Sequence, residues 1–376
     1  MPTKTVYHAD VVGSLLRPST LIDARNAMRA GTMDYADYRA AEDRAVDDAI
    51  KLQEDVGLEV LTDGEMRRDI YFDWWITGME GMEMVAGKDS TVEFHGKDPS
   101  ADFEVQIPFS VTSKIAAKEC PGIDEFKYAK SKTDKQVKIT LPSPLILFFN
   151  FWNEHSKDAY PDPFVLAEEG RDIVVDWMKQ LADAGCTYMQ VDTPELAVAY
   201  TDDAFFRDKM KHRGVTYEEY LDFGTELIGS LAEVDLPGVT MCMHVCKGNG
   251  TQSWIGEGDY SKFSEHVFDK AGGYDIYHLE YDDERSGDFK PLEKLPDHKT
   301  AVLGLVSTKW TEIEGSNMLK GRIEEAAQFH PKENLGIATQ CGFASAAETA
   351  ADRKITEQTQ IDKLRRIVEV AKDVWG

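Results

Sequence analysis

A histidine and a cysteine separated by one residue carry the clearest chemical signal in this chain. His244 and Cys246 lie in the segment MCMHVCKGNG, at the end of an apolar run. Side chains at positions i and i+2 of a β-strand point to the same face, so the imidazole and the thiol lie side by side. Imidazole nitrogen and thiolate sulfur are preferred ligands of zinc, which binds four donors tetrahedrally. The pair therefore predicts half of a zinc site.

The elements that must position this pair are short apolar runs that alternate with charged amphipathic stretches. Alternation of this kind predicts parallel strands joined by helical crossovers. Eight such runs predict a closed (β/α)8 barrel, the TIM barrel, as a single domain over 1–376. The runs lie at 8–18, 57–65, 137–149, 186–195, 239–249, 274–284, 300–309 and 334–343. A doubly wound open sheet is the alternative, but no Gly-x-Gly-x-x-Gly motif follows the first run.

The segment 78–136 interrupts this alternation. It is polar and contains strand-like pieces such as FEVQIPFSVTSK. We interpret it as an insertion after the second strand that serves as a lid or as an oligomer contact, because loops of this length are often functional. Helices are predicted elsewhere from the apolar periodicity and its stop signals, at 35–57, 163–184, 216–232, 259–271, 316–329 and 345–374.

The composition argues against several classes of protein. A formal net charge of −26 disfavours nucleic acid or an anionic membrane as a partner. No apolar run approaches the roughly 20 residues that span a bilayer, and the first residues lack the apolar region of a signal peptide. Five scattered cysteines, an odd number, fit a reduced cytoplasmic protein better than a disulfide framework. The sequence therefore predicts a cytoplasmic protein, monomeric or oligomeric, that acts on small molecules.

The active site of a barrel of this kind lies at the carboxyl ends of its strands. The polar side chains predicted at those ends are Ser14, Arg17, Asp63, Glu65, Asp192, His244, Cys246, Glu280, Asp282, Ser307 and Cys341. Among them, Cys341 and Glu280 supply the two donors that would complete a tetrahedral zinc site. The other cysteines are assigned to the core: Cys120, Cys186 and Cys242. The alternative is a buried histidine and inert core cysteines without a metal.

The predicted donor set defines a particular chemistry. With a neutral imidazole, two thiolates and a carboxylate, the zinc site has one net negative charge and is a poor Lewis acid for hydrolysis. It suits an external thiol, whose pKa the metal lowers so that the sulfur stays nucleophilic near neutral pH. Such a thiol would displace the weaker ligand, Glu280, and attack an electrophilic carbon. His244, Cys246 and Cys341 are therefore predicted to be catalytic residues as well as ligands.

At these residues the chain resembles the catalytic C-terminal barrel of the cobalamin-independent methionine synthase family. The matching motifs follow the family order and span nearly the whole chain: VGSLLRP (12–18), TDGEMRRD (62–69), QVDTPEL (190–196), HVCKGN (244–249), LEYDDERSG (279–287) and QCGF (340–343). The chain is also similar to the epoxyalkane:coenzyme M transferases, which share the H-x-C…C zinc signature. The resemblance implies a Zn2+-dependent methyl transfer to homocysteine or a related thiol.

The resemblance also implies roles for individual residues. It implies zinc at His244, Cys246, Glu280 and Cys341. It implies that Asp192 and Glu65 hold the amino group of an amino-acid thiol, with Ser14 near its carboxylate. Arg17 is predicted to contribute to substrate binding at the same mouth. The alternative for the two carboxylates is a structural role, as caps or in ion pairs with neighbouring arginines.

Three departures from the family pattern concern the alkyl donor. Asn150 stands where folate-using members place a tryptophan beneath the pterin, and Ser307 stands at the position compared with the proton-donating histidine on strand seven. The family's usual Asp-Glu-Pro is Asp192-Thr193-Pro194 here. The first two differences favour a donor other than polyglutamyl folate, such as a methyl-corrinoid protein or an epoxide.

Other functions compete with methyl transfer to homocysteine. An epoxide-opening transferase would use coenzyme M, whose sulfonate needs cations at the mouth, and the candidates are Arg17, Arg67, Arg68 and Lys247. The carboxylates Glu65 and Asp192 favour an amino-acid thiol instead. A non-catalytic zinc or thiol sensor and a metal-free decarboxylase of uroporphyrinogen type are the remaining alternatives. Retention of all four zinc ligands argues against the sensor, and metal analysis separates the decarboxylase.

Overall fold

Strands and helices alternate through the residues that the structure, a computed structural model, describes: 5–88, 90–200, 204–250, 252–346 and 354–376. The strands are β1 Val60–Leu61, β2 Met79–Glu83, β3 Thr91–Gly96, β4 Phe103–Gln106, β5 Ser110–Ala117, β6 Gln136–Val137, β7 Ile139–Pro142, β8 Tyr188–Asp192, β9 Thr240–Val245, β10 Ser253–Trp254, β11 Ile276–Glu280, β12 Thr300–Val306 and β13 Leu335–Thr339. The α-helices are α1 Ser19–Arg29, α2 Tyr35–Val56, α3 Asp73–Thr77, α4 Gly122–Lys130, α5 Pro163–Asp183, α6 Pro194–Ala199, α7 Ala204–His212, α8 Tyr217–Ala232, α9 Ser261–Lys270, α10 Ser316–Ala326 and α11 Glu357–Trp375. A one-turn π-helix, Leu147–Phe151, follows β7.

The parallel strands close into a barrel. Six of them pair in the order β7, β8, β9, β11, β12 and β13, and each neighbouring pair is parallel. β1 pairs in parallel with β6, and the first apolar run joins the other edge through a parallel bridge between Ala9 and Ile337 of β13. The N–H of Leu15 donates to the carbonyl of Gly64 at 3.0 Å, which places the first run beside the second. The predicted (β/α)8 barrel is confirmed.

Local capping chemistry sets the ends of the helices. α2 begins after Asp34, whose carboxylate accepts the N–H of Asp37 at 2.8 Å. It ends at Gly57, whose φ of 95° lies in the left-handed region that glycine adopts without strain. The helices predicted from periodicity occur, although the one expected over 345–374 is observed as α11, and its part at 347–353 lies outside the described residues. None of the described helices combines the length and the apolar character that crossing a bilayer requires.

The insertion at 78–136 builds two antiparallel ribbons and one helix. β2 pairs with β5, and β3 pairs with β4. β3 also pairs with β10, which lies in the loop after Cys246, so this ribbon reaches the carboxyl end of β9. The end of the insertion forms α4, which packs against α2 and α5 in the outer ring of helices. The first part of the segment therefore extends towards the barrel mouth, and its last part supplies one helix of the outer ring.

The barrel interior contains an apolar layer and a buried polar network beside it. The apolar layer consists of Val60, Tyr188, Cys242, Ile276, Val302 and Ala338. Beside it, Asp10 Oδ1 accepts a hydrogen bond from Lys138 Nζ at 3.0 Å, and Oδ2 lies 3.0 Å from His278 Nε2. Burial alone would raise the pKa of Asp10, but the charges of Lys138 and His278 outweigh it and hold that pKa well below its usual range. Asp10 is therefore the anionic centre of a buried network inside the barrel.

Replacing Asp10 with asparagine is expected to destabilise the fold by about 3–5 kcal/mol, because the buried ammonium of Lys138 loses its counter-charge. The free energy of unfolding from a urea titration measures this change. Asp23→Asn, at an exposed position of α1, is the matched control and should alter that free energy by less than about 0.5 kcal/mol. A loss below about 1 kcal/mol at Asp10 would show that the pair does not stabilise the barrel.

Candidate zinc and thiol site

Three of the predicted zinc ligands meet at the mouth of the barrel. His244 lies in β9, Cys246 directly follows that strand, and Cys341 lies two residues beyond β13. Their ligand atoms all lie within 4.8 Å of one another, and the three residues are buried. The two sulfur atoms, from residues 95 positions apart in the chain, are separated by 3.4 Å. The closed barrel therefore brings Cys341 to the local His244/Cys246 pair, to which no sequence motif connects it.

This geometry fits a tetrahedral zinc ion. Zn–S bonds of about 2.3 Å place two sulfur ligands about 3.8 Å apart, close to the observed separation and well beyond a disulfide bond of about 2.05 Å. The hydrogen bond with Cys246 and the neighbouring His244 imidazole outweigh burial and hold the pKa of Cys341 well below its usual range. One imidazole and two thiols at a single buried point form a donor set that suits zinc, whereas magnesium and calcium prefer oxygen donors.

A carboxylate orients the imidazole of His244. Its Nδ1 lies 2.9 Å from Asp192 Oδ1, which also accepts a hydrogen bond from Gln190 Nε2 at 2.8 Å. The sheet register places Asp192 of β8 opposite His244 of β9. Burial would lower the pKa of His244, but Asp192 and Cys341 outweigh it and raise that pKa to about 10. A carboxylate on one ring nitrogen is the common partner of a metal-binding histidine, and it leaves Nε2 as the metal-facing atom.

Glu280 ends β11 but is not part of the group of mutually close ligand atoms. Its Oε1 accepts hydrogen bonds from Arg285 Nη2 at 2.8 Å and from Lys309 Nζ at 3.1 Å. Its Oε2 accepts the backbone N–H of Lys247 at 2.9 Å. Burial would raise the pKa of Glu280, but Lys309, Arg285 and Lys247 lower it to about 2. The predicted fourth ligand is thus a carboxylate that protein cations already neutralise.

Glu65 is a buried carboxylate on a strained backbone. Its φ of 55° lies in the left-handed region that residues other than glycine rarely adopt. Its N–H donates to Asp63 Oδ1 at 2.9 Å, and its Oε1 accepts a hydrogen bond from Thr140 Oγ1 at 2.8 Å. Its Oε2 is buried and has no hydrogen-bond partner among the described residues. A buried acceptor without a partner suits a ligand that brings a donor, such as an ammonium group.

Arg17 is not among the described residues that line the cavity, and its role in substrate binding stays a prediction. Its Nη1 donates to the carbonyl of Ala344, and its Nη2 donates to the carbonyl of Glu65 at 2.7 Å. The forked guanidinium suits several backbone acceptors at once, so Arg17 joins the segments that end two barrel strands. Ser14 does line the cavity, and Gly342 passes so close that a Cβ there would lie 1.9 Å from Ser14 Oγ.

The other cations predicted at the mouth also have partners elsewhere. Arg67 pairs with acidic side chains of α2. Arg68 Nη2 pairs with Glu125 Oε2 at 2.7 Å, while its Nη1 is 3.9 Å from Glu65. Lys247 Nζ donates to the carbonyl of Gly258 at 2.6 Å. These side chains belong to the frame of the site, and none of them lines the described part of the cavity wall.

One cavity of about 180 Å³ joins the candidate residues. Its wall contains the three candidate metal ligands together with Ser14, Glu65 and Asp192. The apolar part of the wall is formed by Val12, Ile70, Phe72, Val92, Phe94, Phe103, Val105, Ile107, Phe149, Val198 and Ile255. No lysine or arginine occurs among the described residues that line it. The described wall of the cavity therefore combines buried carboxylates and the candidate metal ligands with a large apolar surface.

The sequence prediction assigned no role to Glu195, although this residue also lines the cavity. Its Oε1 accepts a hydrogen bond from Tyr71 OH at 3.1 Å, and its Oε2 is buried without a well-formed hydrogen bond in the described part of the chain. Burial and the charge of Asp192 raise the pKa of Glu195 to about 8. The available signal was a second acid three positions after Asp192, but acids are common at helix starts for electrostatic reasons alone.

The aromatic residues that follow TDGEMRRD divide between the cavity and the core. Tyr71 and Phe72 line the cavity. Trp74 and Trp75 pack against Trp177, with ring centroids 5.9 and 5.0 Å apart. Half of this aromatic run therefore contributes to the cavity wall, and the other half packs in the core.

The fold and the site together define a (β/α)8 barrel with a His-Cys-Cys cluster that could hold a metal ion beside buried carboxylates. Residues 7–372 match the family model of the cobalamin-independent synthase catalytic domain. The chain belongs to this family, so the membership predicted from the motifs is confirmed.

Relatives with similar sequences cover nearly all of the chain. The uncharacterised protein YxjG of Bacillus subtilis is 34% identical over 382 residues, which are 99% of this chain and 96% of that protein. The methionine synthase of Saccharolobus solfataricus is 26% identical over 95% of this chain and 94% of its own length. A 5-methyltetrahydropteroyltriglutamate–homocysteine methyltransferase of Vibrio vulnificus is 26% identical over 91% of this chain, which spans 39% of that protein.

Solved structures share the same barrel. A chain from Listeria monocytogenes superposes with a TM-score of 0.73 at 25% identity, over 99% of this chain and 100% of that chain. A B12-independent methionine synthase from Shewanella sp. W3-18-1, in complex with selenomethionine, gives a TM-score of 0.73 at 20% identity over 98% of both chains.

Proposed function

We propose that the protein is a zinc-dependent thiol S-alkyltransferase of methionine-synthase type, which methylates homocysteine or a related amino-acid thiol. The observation that carries this proposal is the convergence of His244, Cys246 and Cys341 in the same cavity as the buried carboxylates Glu65 and Asp192. Two relatives are named as homocysteine methyltransferases and others as methionine synthases, which supports the same chemistry.

The chain's own residues prepare the metal site. Cys246 and Cys341 supply two sulfur donors, and Asp192 fixes the His244 ring so that one nitrogen faces the site. When bound, zinc lowers the pKa of an incoming thiol and keeps its sulfur nucleophilic. We assign the fourth position to Glu280, which is a weak donor because Arg285 and Lys309 already compensate its charge. A weak fourth ligand is easily replaced by a substrate sulfur.

The carboxylates favour an amino-acid thiol over coenzyme M. The partnerless Oε2 of Glu65 offers a buried negative acceptor to an ammonium group. A sulfonate would need cations instead, and Arg17, Arg67, Arg68 and Lys247 are all turned to other partners. The family model describes cobalamin-independent enzymes, so a corrinoid protein is not proposed as the methyl carrier.

Two residues support a donor other than a pterin. Asn150 lines the cavity from the π-helix, where folate-using members were expected to place tryptophan. Ser307 does not line it, because its hydroxyl donates to Asp282 Oδ2 at 2.7 Å. We therefore propose a donor other than polyglutamyl folate.

Metal analysis and product analysis test the proposal together. The purified protein is expected to hold about one zinc per chain and to convert homocysteine to an S-alkylated product. Mass spectrometry of products from homocysteine or coenzyme M, each crossed with methylfolate, methylcobalamin and 1,2-epoxypropane, identifies the thiol and the donor. Alkylation of coenzyme M with none of homocysteine would replace this function with the epoxide-opening one. Tight thiol binding without any product would indicate a sensor.

A further inference from the structure

The insertion supplies an apolar surface that faces the metal ligands. In β3 and β4, every second residue is apolar, and these residues line the cavity: Val92, Phe94, Phe103, Val105 and, directly after β4, Ile107. Alternate residues of a strand share one face, so the hairpin turns a single apolar face to the cavity. Phe94 pairs with Phe103 across the hairpin, and their rings stack with centroids 4.6 Å apart.

The hairpin is fixed against the loop that follows Cys246. Trp254 of β10 pairs with His95 of β3, and Ser253 pairs with Gly96. A Cβ at Gly250 would lie 2.9 Å from the Phe94 ring, so glycine is needed where this loop meets the hairpin. The apolar face and the sulfur of Cys246 are thereby held in one cavity.

The same cavity contains a carboxyl group, that of Glu195, without a charge partner among the described residues. Glu195 is 2% exposed; Tyr71 donates to its Oε1, and the Ser143 side chain and the backbone N–H of Glu195 also interact with the carboxyl group. Its Oε2 has no well-formed hydrogen bond within the described residues. Asp192, the neighbouring acid, is already engaged by His244 and Gln190. Glu195 is thus the acid that remains available to interact with the alkyl donor.

We propose that the alkyl donor is a small uncharged molecule whose carbon skeleton lies against the hairpin's apolar face, and that Glu195 protonates its leaving heteroatom. This inference rests on the proposed thiol alkylation and names the donor class and a further catalytic residue for it. A cavity of about 180 Å³ is smaller than the roughly 300–1,000 Å³ typical of larger ligands, and its described wall offers no cation to a glutamate tail or a phosphate.

The proposed step balances without an oxidant or a reductant. The thiolate sulfur attacks the alkyl carbon and forms a C–S bond, while the bond from that carbon to the heteroatom breaks and its electron pair stays on the heteroatom. The Glu195 carboxyl proton moves to that heteroatom and leaves a carboxylate. The proton that the next thiol releases on becoming a thiolate restores the acid, so the products are a thioether and the protonated leaving group.

Electrostatics around Glu195 support its role as an acid. The titratable groups that face it are Tyr71 before α3, Asp192 at the end of β8 and Tyr220 of α8. Burial and the charge of Asp192 raise the pKa of Glu195 to about 8, so the carboxyl group keeps its proton near neutral pH. General acids work best when their pKa lies near the operating pH.

Binding of toluene to the purified protein, measured by calorimetry, tests the apolar compartment without any turnover. The double variant Val92→Thr/Val105→Thr nearly keeps the side-chain volume but adds hydroxyl groups to the cavity face. We expect its affinity for toluene to be at least about tenfold lower than that of the wild type. Val165→Thr, at an exposed position of α5, is the matched control and should bind as the wild type does. Toluene affinity that is equal in all three proteins would overturn the assignment of the hairpin face.

Two probe donors test the acid. Ring opening of 1,2-epoxypropane needs a proton on the leaving oxygen, whereas methyl iodide releases iodide without one. With homocysteine as the thiol, Glu195→Gln is expected to lose at least about a hundredfold more rate with epoxypropane than with methyl iodide. The wild-type rate with epoxypropane should fall as the pH rises through about 8, and this fall should vanish in the variant.

The outcomes separate this inference from the proposed function. Equal losses with both donors, or an unchanged pH profile in the variant, would overturn the acid role of Glu195. Wild-type protein that alkylates homocysteine with methyl iodide but not with epoxypropane would do the same while leaving thiol alkylation intact. Failure of both donors with the zinc-loaded wild type would instead contradict the proposed function, and toluene binding would still report on the compartment.

Discussion

Cys246→Ser is expected to lose most of its zinc and, with it, most of the thiol alkylation. Structural zinc sites with four ligands bind with about 10–16 kcal/mol, so each ligand contributes on the order of 3 kcal/mol, and losing one weakens binding by about a hundredfold or more. Cys341 is the other thiol of the cluster, and no third thiol among the described residues lies close enough to replace Cys246. Metal content after dialysis against a weak chelator measures the effect.

A cysteine outside the triad of His244, Cys246 and Cys341 provides the matched control for this substitution. Cys120 is buried to a similar degree but is not among the clustered donors. Cys120→Ser should therefore keep its zinc even if its stability falls. Full retention of metal in Cys246→Ser would exclude the sulfur from the metal site and would rule out the triad.

Glu65→Gln is expected to lower kcat/KM for homocysteine by about 30-fold to a thousandfold. The substitution removes the negative charge from a buried acceptor, and truncating a buried hydrogen-bonded charge pair costs about 2–4 kcal/mol. Glutamine keeps the shape of the side chain and its hydrogen bond from Thr140, so the left-handed backbone at this position is not disturbed further.

A change in the substrate provides the control for Glu65. The deaminated analogue 4-mercaptobutanoate has the thiol and the carboxylate of homocysteine but no ammonium group. The wild type should have a low kcat/KM for this analogue, and the kcat/KM of Glu65→Gln for the analogue should equal that of the wild type. If the variant slows both thiols by the same factor, Glu65 has a structural role and does not bind the amino group.

The barrel was predictable because its signal is repeated and local. Each apolar run ends in polar residues, and each helix carries its own boundary signals, such as Asp34 and Gly57 around α2. The excursion was harder, because the alternation in β3 and β4 shows that one face is apolar without showing what that face covers. Its contact with β10 depends on chain segments about 150 residues apart, which no local pattern encodes.

The site was predictable where strand ends fixed it. His244, Cys246 and Cys341 converge because parallel strands place their carboxyl ends at one mouth. The contacts of Arg17 were hidden, because its position at a strand end does not reveal that backbone carbonyls occupy its guanidinium. The partners of Glu280 were equally hidden, since Lys309 and Arg285 come from different loops. Glu195 was missed because its burial, and hence its acidity, is a property of the folded cavity.

X-ray absorption at the zinc edge of the purified protein, recorded before and after addition of homocysteine, tests the central claim most directly. We expect two sulfur neighbours at about 2.3 Å with nitrogen or oxygen completing the shell, and a third sulfur once the thiol is added. A metal shell without sulfur, or one that homocysteine leaves unchanged, would contradict the assignment of this cavity to thiol activation.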